Sequence, residues 1–162
     1  MMTHDDKRNG TTTLLAALNK ATGEFYGLCQ ECHRHQEWLK FLRLIEEAVD
    51  ADKQVHIICD NYATHKHPRI QRWLQKHKRF HVHFTPTSAS WLNMIERFFR
   101  DLTDKRIWRG VFQNLEQLIM AIGDYIDKHN ANPKSFIWTA KANDILEKVT
   151  RVQAALNNRL SV

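Results

Sequence analysis

The feature that most constrains this chain is a strand-helix-strand pattern near its middle. Val55-His56-Ile57-Ile58-Cys59 is a short, nearly continuous apolar run that stops at Asp60-Asn61, which predicts a buried strand whose last residues emerge at a sheet edge. A helix follows from Pro68 to His77, with proline suited to the first turn, and Phe80, Val82 and Phe84 then alternate with His81 and His83 as a second strand. Two strands joined through a helix imply a parallel crossover, and with it an α/β domain.

The flanking segments fit that frame. Thr11-Thr12-Thr13-Leu14-Leu15-Ala16-Ala17-Leu18 and Glu24-Phe25-Tyr26-Gly27-Leu28 read as two strands joined through the turn formers Asn19-Lys20-Ala21-Thr22-Gly23. From Gln36 onward Trp38, Leu39, Leu42, Ile45 and Val49 recur at three-to-four spacing, which predicts a helix packed on the sheet. Three helical stretches make up the C-terminal third. The first carries Trp91, Leu92, Ile95, Phe98, Phe99 and Leu102 on one face, with Asn93, Glu96, Arg97 and Arg100 on the other. The second runs from an Asn114 cap through Ile122 and Ile126 to about His129-Asn130, and the third holds Ile145, Leu146, Val149 and Val152. One domain over residues 1–152 and a polar tail over 153–162 are expected.

Lys and Arg outnumber Asp and Glu by 24 to 18, a formal charge of +6 that favours a polyanionic partner such as nucleic acid. No apolar run is long enough to cross a bilayer, and the polar start is unlike a signal peptide, so a cytoplasmic protein is expected. The three cysteines, Cys29, Cys32 and Cys59, suit a reducing compartment better than a disulfide framework.

Two carboxylates stand at privileged places: Asp60 at the end of a strand and Glu96 on the polar side of an amphipathic helix. Open α/β sheets collect their ligands at the carboxyl ends of strands, so both acids can serve one site there. Hard oxygen ligands of this kind suit Mg²⁺ or Mn²⁺, which in pairs activate an attacking oxygen and steady a leaving one during phosphodiester cleavage. The same residues admit plainer readings: Glu96 and Arg100 have the spacing of a surface ion pair, and Asp60-Asn61 that of a turn.

Longer strings change the balance. Asp60-Asn61-Tyr62-Ala63-Thr64-His65-Lys66-His67-Pro68, then His81-Val82-His83-Phe84-Thr85-Pro86-Thr87-Ser88-Ala89-Ser90-Trp91-Leu92-Asn93-Met94-Ile95-Glu96-Arg97, then His129-Asn130-Ala131-Asn132-Pro133-Lys134 with Phe136-Ile137-Trp138-Thr139, resemble bacterial insertion-sequence transposases related to the mariner elements, of the DDE superfamily. The resemblance covers about Gly10 to Arg151. It implies an RNase H-like fold and a triad of two aspartates and one glutamate that binds divalent metal, nicks transposon ends and joins the freed 3′ hydroxyl to target DNA. Asp60 matches the second aspartate and Glu96 the glutamate.

The family's first aspartate lies on a strand upstream of Gly10-Thr11-Thr12-Thr13, and Asp5 and Asp6 do not match its motif. The resemblance therefore implies a partial catalytic domain lacking its first central strand, with two unpaired sheet edges, and a chain that is inactive alone. It further implies a nucleoid-associated protein that forms homo-oligomers or joins an intact transposase. Two readings stay open beside it: an inactive remnant or DNA-binding regulator, and a chain completed by an upstream-encoded piece that supplies the strand and its aspartate.

For DNA contacts the expected residues are Asn61, His65, Lys66, Arg69, Asn93, Arg97, Arg100, Lys105 and Arg106, with Arg72 and Arg109 as further cations and Asn93 also placed to orient substrate or water. Cys29-Gln30-Glu31-Cys32-His33, with His35, has the spacing of a zinc or haem motif, although chance cysteines explain it more simply. His81 and His83 are expected on one solvent-facing or DNA-facing side of their strand. Trp73, Trp91, Trp108 and Trp138 sit in apolar patterns and are expected in the core rather than as base-stacking platforms.

Overall fold

The computed structural model describes residues 10–85 and 95–134. Trp91, Asn93, Trp138, the third C-terminal helical stretch and the expected domain boundary after residue 152 lie outside them, as do Asp5 and Asp6. The described residues form a mixed α/β structure: β1 (Thr13–Leu18), β2 (Phe25–Gln30), α1 (His35–Ala48), β3 (Val55–Cys59), α2 (Pro68–Lys76), β4 (Phe80–Phe84), α3 (Ile95–Leu102) and α4 (Leu115–Asn130).

β1 and β2 form an antiparallel hairpin in which Thr13 faces Gln30 and Leu18 faces Phe25. Its turn is built around Asn19. The Asn19 side-chain oxygen accepts from the Ala21 amide at 3.0 Å, and its backbone carbonyl accepts from the Gly23 amide at 2.7 Å. Gly23 has φ of 82°, and the Lys134 backbone occupies the space a Cβ would take, so glycine is required on both counts.

β3 and β4 pair in parallel, Val55 with Phe80 and Cys59 with Phe84, joined through α2 as the sequence pattern predicts. The four strands form two two-stranded sheets. Among the described residues no backbone ladder joins them; a shared core does.

That core holds Leu15 of β1, Trp38, Phe41, Leu42 and Ile45 of α1, Ile70 and Trp73 of α2 and Phe80 of β4. A second core, on the opposite face of the hairpin, gathers Phe25, Phe98 and Leu102 of α3, and Ile122 and Ile126 of α4. Side chains alternate across a strand, so Leu15 and Ala17 meet the first core while Leu14, Ala16 and Leu18 meet the second. The unbroken apolar character of β1 follows from burial on both faces.

β3 and β4 differ. Val55 and Ile57 turn to the first core, but His56, His81 and His83 are exposed on the opposite face and Ile58 is 65% exposed beside them. The expectation of a fully buried strand at Val55–Cys59 is therefore corrected: no described element covers this face, because α3 and α4 lie over the hairpin.

Three polar devices lock the elements. The Glu37 carboxylate accepts from the Arg34 amide at 3.1 Å and from the Arg34 guanidinium at 3.0 Å, closing the first turn of α1. The Arg79 guanidinium donates to the carbonyls of Glu46 at 2.9 Å and Asp50 at 2.8 Å, satisfying orphan groups at the end of α1. Asn114 caps α4, as expected, by accepting from the Gln117 amide at 2.9 Å.

Candidate functional site

Asp60 leaves the carboxyl end of β3 with its side chain 67% exposed. The group that fixes it lies behind it. After Asp60 the chain makes a single 3-10 turn, Ala63–Lys66, that folds His65 back beneath the strand end. Its Nδ1 lies 3.1 Å from the Asp60 backbone carbonyl and 3.3 Å from Oδ1, so one N–H spans both oxygens. His65 is 5% exposed, and its ring packs on Trp38 at 4.3 Å between centroids, with Tyr62 and His33 edge-on beyond it. Tyr62 in turn stacks on His33.

Burial lowers the His65 pKa, against opposing pulls from the carbonyl and charge of Asp60. The ring is therefore neutral at pH 7 and acts as a fixed donor. The sequence places His65 among the DNA contacts; at 5% exposure it supports Asp60 instead. The signal for that role is a histidine five residues after a strand-ending acid, close enough to fold back on it through one turn, and sequence reasoning missed it.

The rest of this wall is also aromatic. His67 caps α2, its Nδ1 accepting from the Arg69 amide at 3.2 Å, and its ring lies parallel on His35 at 3.6 Å. Burial, and then the proximity of His67 and Arg69, lower the pKa of His35. Cys29, Cys32 and Cys59 are free thiols. Burial, with the Asp60 charge second, pushes Cys59 up to about 11, so it stays protonated at neutral pH.

Glu96 lies in the first turn of α3 and is exposed. The alternative ion pair with Arg100 does not form, and Glu96 has no ion-pair partner among the described residues. α3 packs against β1 and α4, whereas Asp60 departs from the end of β3. Both are hard oxygen donors, and neither is neutralised by a lysine or arginine, which fits a divalent cation. Among the described residues no group of three or more His, Cys, Asp or Glu side chains is arranged to hold a metal.

The residues expected to meet DNA are placed as follows. Asn61, Lys66 and Arg69 are exposed around Asp60, with the Lys66 ammonium 5.1 Å above the Phe84 ring. Arg97, Arg100, Lys105 and Arg106 are exposed along α3 and the π-helical turn that continues it, Thr103–Ile107. Lys105 pairs with Asp101 at 3.0 Å. Trp73 is buried as expected, whereas Trp108 is 80% exposed, which corrects its assignment to the core.

The string His129-Asn130 proves to be architectural. Asn130 accepts from the Phe25 amide at 2.9 Å and donates to the Phe25 carbonyl at 2.8 Å, taking the place of a neighbouring strand at the edge of β2, and His129 Nε2 lies 3.1 Å from the Gly23 carbonyl. No helix among the described residues is long and apolar enough to cross a membrane. A family model described as DDE superfamily endonuclease matches residues 3–119. No curated protein matches the chain.

Proposed function

Because the chain belongs to the DDE superfamily endonucleases, we propose that it is the catalytic core of a DNA transposase of the bacterial insertion-sequence type related to mariner elements, with an RNase H-like ancestry. The observation that carries this reading is Asp60, an exposed carboxylate at a strand end whose carbonyl and Oδ1 are held by one buried, neutral imidazole. Pre-organisation of that kind is what a metal-binding carboxylate requires.

Asp60 and Glu96 would hold Mg²⁺ or Mn²⁺, which supplies charge stabilisation and activation of the attacking oxygen in phosphodiester cleavage. His65 keeps Asp60 oriented without adding charge. Asn61, Lys66 and Arg69 hold the backbone of DNA beside Asp60, and Arg97, Arg100, Lys105 and Arg106 hold it along α3. Asn93, three positions before Glu96 in the sequence and outside the described residues, would orient water or substrate.

A second reading is favoured by the separation of the two sheets. Asn130 occupies the outer edge of β2 at Phe25, which among the described residues leaves the opposite edge of the hairpin, on β1, open to further pairing. A strand pairing there and on β3 would join the sheets and bring a third carboxylate beside Asp60, either from outside the described residues or from an associated chain. Where an associated chain supplies that carboxylate, the isolated chain is inactive and gains activity on association.

Nicking of supercoiled DNA in Mg²⁺ or Mn²⁺ tests both readings. Cleavage lost in Asp60→Ala and Glu96→Ala supports a working site in the chain itself. Cleavage that appears only with a partner, and is lost in the same variants, supports the second reading. Cleavage retained in both variants refutes the assignment of these acids.

A further inference from the structure

Beyond Glu96, the chain builds a corner whose Trp108 and Arg109 the catalytic reading does not use. α3 runs without a break into the π-helical turn Thr103–Ile107, whose end is closed by the Trp108 amide donating to the Thr103 carbonyl at 2.9 Å. Thr103 Oγ1 also donates to the Phe99 carbonyl at 2.8 Å. The Gly110 amide then bonds back to Ile107 at 3.1 Å, and the Phe112 ring fills the space a side chain at Gly110 would need.

This tight corner presents Trp108 at 80% and Val111 at 93% exposure. Indole is costly to leave in water, and among the described residues nothing covers it. The surroundings are cationic. Arg106 and Arg109 are exposed and carry no ion-pair partner among the described residues, and Arg97 and Arg100 lie on the same helical run, against Glu96, Asp101 and Asp104. Lys105 already pairs with Asp101. Trp108 stands twelve positions after Glu96, roughly 18 Å along the axis, or about five base steps at roughly 3.4 Å each.

We propose that Trp108 is a stacking platform for an unpaired base of DNA, with Arg106 and Arg109 holding the phosphates on either side of it. The proposal rests on the DNA reading above and adds to it a preference for distorted or single-stranded DNA next to the cleavage site. An exposed indole between arginines offers what an unstacked base needs: a flat apolar face, a cation–π neighbourhood and charge neutralisation of the adjoining backbone. A second copy of this chain, with the same cations, would be repelled from the patch, which favours a polyanion as its occupant.

The test is fluorescence anisotropy of the full chain with a labelled blunt duplex and with the same duplex carrying an unpaired tail. The wild type binds the tailed DNA more tightly than the blunt one. Trp108→Ala weakens tailed binding by roughly 5- to 150-fold and blunt binding by less than about two-fold, and Trp108→Phe restores most of the loss. Arg106→Ala with Arg109→Ala weakens both and flattens the salt dependence. A solvent-exposed side chain leaves the fold intact on substitution, which matching far-UV circular dichroism verifies.

Equal loss on both DNAs, or no loss, overturns the stacking role while leaving DNA binding standing. A change of oligomeric state in Trp108→Ala by light scattering reassigns the patch to contact between copies and overturns it. Absence of binding to either DNA removes the DNA reading and this inference together.

Discussion

Asn130→Ala is the substitution whose cost the structure defines most closely. Its side chain makes two hydrogen bonds to one residue, Phe25, at 2.9 and 2.8 Å, and Phe25 is buried in the second core. Each such bond contributes about 0.5 to 1.5 kcal/mol net, and a buried amide left without a partner costs about 1 to 3 kcal/mol. Together these give a loss of about 2 to 6 kcal/mol, well above the ordinary effect of a surface change. With an m-value of about 2 kcal/mol/M in urea, the unfolding midpoint falls by about 1 to 3 M at unchanged slope. Asn130→Asp retains the acceptor for the Phe25 amide but loses the donor to its carbonyl and adds negative charge at the C-terminal end of α4, so it recovers less than half of the loss. Urea titration followed by circular dichroism measures the shift, and amide hydrogen exchange at Phe25 reports the local opening. A midpoint shift below about 0.3 M would refute the claim that Asn130 stands in for a strand.

Two further outcomes concern the site and its support. His65→Phe keeps an aromatic ring against Trp38 but removes the donor to Asp60, so metal affinity and nicking fall roughly 10- to 100-fold with little change in melting temperature; activity at wild-type level with unaltered metal titration sinks the positioning role. The Arg34 hydrogen bond holds the Glu37 carboxyl down at about 2, so its contribution is fully present above the ordinary carboxylate range and is lost as pH falls toward 2; Glu37→Gln should lower stability at pH 7 and flatten the acid limb of the unfolding profile, and an unchanged acid limb counts against the capping pair.

Local chemistry is the most legible part of the fold. β3 has the limits its apolar run predicts, α2 begins at Pro68 and α4 at the Asn114 cap, because proline geometry and side-chain capping are written in adjacent residues. Coverage is not legible. Periodicity reports which side of an element is apolar, not whether another element arrives to bury it, so Ile58 is expected inside and lies outside. Trp108 misleads for a related reason: the π-helical turn adds a residue to the helical cycle and rotates the residues beyond it by about 100°, so the apolar spacing before the turn no longer predicts the buried side after it. Of the candidate site, position and resemblance pick out Asp60 and Glu96, but the bearing of His65 on Asp60 depends on a 3-10 turn that no hydrophobic pattern announces.

The hairpin that both cores share has a history during synthesis. β1 and β2 leave the ribosome well before α4, yet Phe25 is secured by Asn130, 105 residues later. At roughly 5 to 20 residues per second, a strand apolar on both faces waits roughly 5 to 20 s for the helix that closes over it. For that interval β1 is an adhesive edge in search of a partner. A cell producing this protein quickly would therefore meet its aggregation hazard before α4 is translated, and slower synthesis would not shorten the wait.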